Sequence, residues 1–535
     1  MGQPGRGRRF AAGVRRHPRA WITGSVVTAL VVAGGIGAAV VTTRHSDDTS
    51  TAAQERGMTA GQALQQPPEA TGMTVTLDAS AAKYELAGRT VEGNEYNGGA
   101  VAPTLRAQPG STVTLTLVNH LPVATNLHFH GLHIAPTGDS DDPDVCVAPG
   151  ATHVYRLALP ANHPMGTYWY HSHAMGLTCP DPGGHDASMP GMSMPGMSMP
   201  APATFVPGNV ENQIFAGLSG ALIVGDDRAG LPEPLRGITA QTLVLKDVQL
   251  DPAGRIVQGD TKNQIESGAP TVRLVNGQLR PVLTMRPGET QLWRLVNAGA
   301  DIFYDLRLAG YTFTVIGEDG IPVAATSTPE TVLMPPGKRY DVLVTAAAQP
   351  GQTWLQTMPY SNGPQGDAYP QTDLIQVRID GDPVPAGPVV SGALPGAPAD
   401  LANAPIAWRR SVQLSEDESG TSFFVNGKQF SMGDSIFTTP ARLGTVEEWT
   451  LTNVAGEDHP FHLHTSAFQV VSINGVTQPY THRQDTVLVP HQENDTPGKV
   501  VIRIPFDDYP GHWMFHCHIA AHEDNGMMSY VNVVK

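Results

Sequence analysis

Cysteine is nearly missing from this sequence, with three in 535 residues. That scarcity argues against structural zinc, which needs closed tetrahedral sets of ligands rich in cysteine. Long helical periodicity is absent beyond the N-terminal segment. Gly 57 and Pro 46 fit short strands joined by turns better than a helical protein. The part expected to fold has no basic block, and the net charge is -16. Nucleic acid is therefore not an expected partner. Histidine is plentiful, 20 in all, yet none lies between His185 and His459. The middle of the chain carries no imidazole chemistry, and its two ends are expected to meet in space.

What is present begins with a basic N-terminus. Arg6, Arg8, Arg9, Arg15, Arg16 and Arg19 precede an uncharged run from Trp21 to Val41. The run is long enough to span a bilayer, and its Gly and Ala content also suits a signal h-region. Arg8-Arg9-Phe10 faintly resembles a twin-arginine signal without its usual flanks. Residues 1–44 are thus read as a signal or membrane anchor, with the rest of the chain exported. An uncleaved anchor is favoured, since no small-x-small site ends the run. Residues 45–70 are polar and read as a flexible linker.

Length suggests about three or four domains, and an internal repeat selects three. Pro103 to Gly110 leads to Leu117-Val118-Asn119; Pro281 to Gly288 leads to Leu295-Val296-Asn297; Gly444 leads to Leu451-Thr452-Asn453. Gly and Asn are equally spaced each time, and Trp293 matches Trp449. Each copy is a Gly turn followed by an alternating strand, as in Thr112 to Val118, which predicts β-sandwich domains. The boundaries expected are 71–228, 235–380 and 406–535, with a Pro/Ala/Gly-rich linker over 381–405. Residues 180–208 interrupt the first domain. There Met189, Met192, Met194, Met197 and Met199 form a low-complexity run. It is either a surface insertion or a thioether array for Cu(I), and the regular spacing favours copper.

The chemistry concentrates in His512 to Met527. On an extended strand His516 and His518 face one way and Cys517 the other, so one strand can serve two metal sites. Cys517, His522 and Met527 are three of the four ligands of a blue-copper site, which still lacks an imidazole. His128-Phe129-His130, His171-Ser172-His173 and His462-Leu463-His464 join His516-Cys517-His518 as four His-x-His pairs. Eight imidazoles of this kind can hold about three metal ions, which leaves His459 to complete the sulfur site. Cys146 and Cys179 remain open: a disulfide, two unrelated thiols, or Cys179 as a soft ligand beside the methionines. His120, His133, His153, His163, His482, His491 and His512 lack paired spacing and read as ordinary hydrogen-bonding histidines. Glu318-Asp319 reads as a turn acid.

From 71 to 535 these motifs resemble a three-domain multicopper oxidase of the laccase or copper-efflux type. The resemblance implies an all-β chain of three tandem cupredoxin-like Greek-key sandwiches. It implies type 1 copper at His459, Cys517 and His522 with Met527 axial. Type 2 copper would fall to His128 and His462, and the type 3 pair to His130, His171, His173, His464, His516 and His518. It also implies four one-electron oxidations of a phenol, aromatic amine or Cu(I), coupled to reduction of O2 to two waters, by a monomer. Glu523 resembles the family's proton relay, and Asp141 is a second candidate in competition with Asp139, Asp142 and Asp144. A methionine axial ligand suggests a moderate potential. The competing reading is a copper-binding resistance protein without turnover; a copper nitrite reductase needs fewer histidine pairs.

Overall fold

The computed structural model describes residues 51–179, 208–259, 270–433 and 435–535. The basic and apolar N-terminal stretch and the methionine run fall outside them. Among the described residues no helix is long and apolar enough to cross a membrane.

The repeat seen in the sequence is the middle of a sheet, three times over. Strands Thr112–Asn119, Thr290–Asn297 and Thr445–Asn453 each have a parallel neighbour: Thr74–Leu86, Ala240–Val248 and Ile406–Glu416. Each also has an antiparallel neighbour: Thr152–Ala158, Arg339–Thr345 and Gly498–Phe506. A sheet with both kinds of neighbour needs the chain to cross to a facing sheet and return, which is the Greek-key path. The facing sheets hold four, five and five strands. The protein is thus all-β, built of three cupredoxin-like sandwiches.

The recurring Asn has a physical reason. Asn119, Asn297 and Asn453 are fully buried at the strand ends. Each Oδ1 accepts from the backbone N–H two residues on, and each amide donates to two carbonyls. One side chain therefore closes the strand and satisfies two buried acceptors that would otherwise be costly. Leu115, Trp293 and Trp449 occupy equivalent core positions with no exposed surface.

Residues 51–70 are not the flexible linker expected. Glu69–Ala70 pairs in parallel with the edge strand Thr104–Ala107. Ala60 and Ala63 bridge to Leu279 and Val282, and Arg280 holds Glu55 at 2.7 and 2.8 Å. The cause lies outside the segment: exposed sheet edges offer unpaired backbone groups, and an extended polar stretch satisfies them. Residues 381–405 contain no strand or helix, but Val390, Leu394 and Leu401 are buried.

Candidate metal centre

Two strand pairs bring the histidines together. In the third domain, His459–Leu463 runs antiparallel to Gly511–Cys517, with His462 opposite His516 and Phe461 opposite Cys517. In the first domain, His128 and His171 bridge, exchanging backbone hydrogen bonds of 2.9 and 3.1 Å. Alternation puts both imidazoles of each pair on one face. The two faces then meet: His128 stacks on His464 and His130 on His462, each with ring centroids 3.7 Å apart. The distant ends of the chain do fold together, and all eight paired histidines are buried.

Which nitrogens face inward follows from hydrogen bonding. The Nδ1 atoms of His171, His462 and His516 donate to the carbonyls of Ser172, Asp485 and Cys517 at 2.8, 2.9 and 2.9 Å. His128 Nδ1 lies 3.0 Å from Asp141 Oδ1. Burial holds the imidazoles of His128, His171 and His516 far below their usual pKa, so they are neutral. Each Nε2 is then a bare lone pair. His128, His171 and His462 leave Nε2 buried without a hydrogen-bond partner. His516 Nε2 faces those of His464 and His173 at 3.2 and 3.3 Å, and His518 Nε2 faces His130 Nδ1 at 3.1 Å. Buried lone pairs converging in this way are costly unless a cation fills the space between them. Soft-to-borderline imidazole donors in this number suit copper.

The other face of the same strand carries sulfur. Cys517 Sγ lies 3.6 Å from His459 Nδ1 and 3.5 Å from His522 Nδ1, and those nitrogens are 3.3 Å apart. His522 sits on the short helix Ala520–Asp524. Met527 is fully buried; its N–H donates to the His522 carbonyl and its carbonyl accepts from Cys517 N–H, at 2.9 and 3.1 Å. Burial pushes the Cys517 thiol well above its usual pKa and takes His459 down to about 3. A bound cation would displace the thiol proton.

Two predicted carboxylates lie against the imidazole chamber. Glu523 is fully buried, with Oε1 3.3 Å from His173 Nε2 and Oε2 3.2 Å from His516 Nδ1. Of the acids competing in 139–144, Asp141 is the one that reaches a paired histidine. Asp139 pairs with Arg156, Asp142 caps the N–H groups of Gly138 and Asp144, and Asp144 accepts from Tyr530. Burial raises the Glu523 and Asp141 carboxyls well above the ordinary carboxylate range.

Sequence reasoning missed a third carboxylate. Asp485 Oδ1 lies 3.0 Å from His130 Nε2 and 3.4 Å from His462 Nδ1. Burial pushes this carboxyl up, but Arg339 and His130 outweigh it and hold it well below its usual pKa. A lone Asp carries no spacing signal. Glu457, which touches His522 Nε2 at 3.2 Å, was missed for the same reason. Glu318 and Asp319 do sit at a turn, between strands Thr314–Glu318 and Ile321–Ser327, but both are buried and paired with Lys338. Among the unpaired histidines, His133 binds Asp508 and the Thr465 carbonyl, His482 meets Glu318 and His491 meets Asp458. Cys146 and Cys179 form a disulfide.

Comparison with known proteins agrees with this geometry. Family profiles described as multicopper oxidase match residues 78–186, 240–378 and 406–535. The multicopper oxidase mco of Staphylococcus aureus is 25% identical over 448 residues, spanning 82% of this chain and 83% of the relative. The multicopper oxidase MmcO of Mycobacterium tuberculosis is 25% identical over 508 residues, 90% and 92% of the two chains. The solved multicopper oxidase of Campylobacter jejuni superposes with a TM-score of 0.71 at 23% identity, covering 90% of this chain and 96% of that one. Three matched domains, with copper-type donor sets on both faces of one strand, make this chain a member of the multicopper oxidase family, a copper-dependent oxidoreductase of the laccase type.

Proposed function

We propose that the chain holds four copper ions: His459, Cys517 and His522, with Met527 as a further soft donor, would hold a type 1 ion, and the eight paired histidines would hold a three-ion cluster. The observation that carries this is the shared strand. Cys517 belongs to one chamber, His516 to the other, and one peptide unit joins them. In the cluster, His128 and His462 serve type 2 copper and His130, His171, His173, His464, His516 and His518 the type 3 pair. Copper supplies the one-electron chemistry and the four-electron reduction of O2 to water.

The protein's own part is protonic and orienting. Asp141 fixes the tautomer of His128 through Nδ1. Glu523, whose carboxyl burial raises, lies within reach of the chamber at both His173 and His516 and can hold a proton there. Such a group can deliver protons that reduction of O2 consumes.

The donor we propose is a metal cation, Cu(I) first. Glu457 and Asp458 immediately precede His459, and Glu457 touches the Nε2 edge of His522. Acid at that edge favours a cation over an anionic donor. The methionine run, Met189, Met192, Met194, Met197 and Met199, is of the soft-ligand type that selects Cu(I), and we propose extra Cu(I) binding there. Phenols and aromatic amines are the second donor class. We further propose export, attachment to the membrane through the N-terminal segment, and a monomeric state, since one chain carries a complete donor set.

Oxygen uptake by the copper-loaded protein, with Cu(I) and a phenol side by side, tests this. Uptake with Cu(I) that is lost on deleting 187–200, with phenol turnover retained, is expected. No uptake with any donor overturns the oxidase reading in favour of copper storage or resistance.

A further inference from the structure

The middle domain supplies no candidate copper ligand, yet it reaches the cluster. Its turn at Gly337-Lys338-Arg339 lies directly behind His130 and His518: a Cβ on Gly337 would come within 3.0 Å of both rings. Arg339 has no exposed surface. Its Nη1 and Nη2 donate to the two oxygens of Asp485 at 2.9 and 2.6 Å. Gly131, next to His130, leaves room for this contact, since a Cβ there would strike both Arg339 and Asp485. Asp319, also of the middle domain, accepts from the backbone N–H groups of Asp485 and Thr486 at 3.1 and 3.2 Å, and from Lys338 at 3.0 Å.

The effect falls on one imidazole. His128, His171, His462 and His516 all engage Nδ1 and turn Nε2 inward. His130 is reversed: Nε2 meets Asp485 Oδ1 at 3.0 Å, and Nδ1 faces His518. A fork-on-carboxylate contact fixes direction as well as charge.

We infer that Arg339 is a positioning residue: by clamping Asp485 from the middle domain, it sets His130 in the Nε2–H tautomer that turns Nδ1 toward the cluster. This rests on the copper-ligand reading of His130 given above, and the tautomer itself can be read without copper. The third-domain sulfur site is built from residues that Arg339 does not touch.

The test uses the full chain with Arg339→Met and Arg339→Lys. Expected for Arg339→Met is an unchanged blue absorption, a cluster copper affinity about 10- to 100-fold weaker, and a new paramagnetic signal from cluster copper that has lost its partner. Expected for Arg339→Lys is partial recovery. In copper-free protein with 15N-labelled histidine, the His130 signal, assigned by His130→Gln, should show a protonated Nε2 that Arg339→Met disturbs. A blue Arg339→Met variant with unchanged copper content, paramagnetic signal and His130 tautomer overturns the inference. So does loss of the blue band in both variants, which would assign Arg339 to the fold alone. Should wild-type protein bind no copper, the function proposed above fails while the tautomer result still decides the role of Arg339.

Discussion

His516 donates through Nδ1 to the carbonyl oxygen of Cys517, its immediate neighbour, at 2.9 Å. The two side chains point to opposite faces of one strand, so this hydrogen bond ties the imidazole chamber to the sulfur chamber across a single peptide group. Under the function proposed above, the donor side and the O2 side would be linked through that one peptide group.

Cys517→Ser tests the division between the chambers. The hydroxyl is a poor copper ligand compared with thiolate, so the intense blue absorption should disappear. The eight paired histidines remain, and copper analysis should show the cluster largely filled. A blue variant contradicts the assignment.

Glu523→Gln tests the proton. Burial raises this carboxyl well above its ordinary range, so it keeps its proton to higher pH than an exposed glutamate and loses it as pH rises through the raised value. Wild-type turnover should therefore fall on the alkaline side. The amide variant should be slower by about 100-fold or more, and its kcat profile should lack that limb. An unchanged profile assigns the alkaline loss to another group.

Metal removal should expose an acid sensitivity. Burial lowers His173 and His459 to about 3 and takes His128, His130 and His516 well down. Below an ordinary histidine pKa of about 6.5, the unfolded chain binds protons that the folded chain refuses. Stability of the copper-free protein thus falls as pH drops from about 6.5 toward 3, at about 1.4 kcal/mol per pH unit for each such group. Calorimetry at pH 7 and pH 5 should show a much larger loss of Tm for the copper-free than for the copper-loaded protein.

The Cys146–Cys179 disulfide joins the arm after Asp141 to the arm after His173 across a separation of 33 residues. Closing a loop of that length restrains the unfolded chain by about 3–4 kcal/mol. Cys146→Ser with Cys179→Ser should lower Tm by several degrees, and copper should leave more readily on dialysis against a chelator. An unchanged Tm rules out this contribution.

Most of the cluster was legible because pairing leaves a mark in the chain. His-x-His on an extended strand shows its shared face directly, and the spacing from Gly to Asn revealed three domains. Even the single His459 could be found by what the pairs left over. Asp485, Arg339 and Glu457 had no such mark. Their importance comes from which surfaces meet in three dimensions, and an isolated acid or arginine looks the same in either setting. Residues 51–70 were misread for a similar reason: their composition is that of a linker, and only the sheet edges beside them give that stretch an ordered path.

Strand Gly511–Cys517 pairs without irregularity with Met528–Val534, and its end pairs with His459–Leu463. Losing a single amino acid between Gly511 and His516 would slide this hairpin by one step and invert every side chain beyond it. The thiol would enter the imidazole cage and the imidazoles would enter the thiol's place. Neither chamber can drift in sequence length alone, because the seven residues Gly511–Cys517 set which way the side chains of both must face.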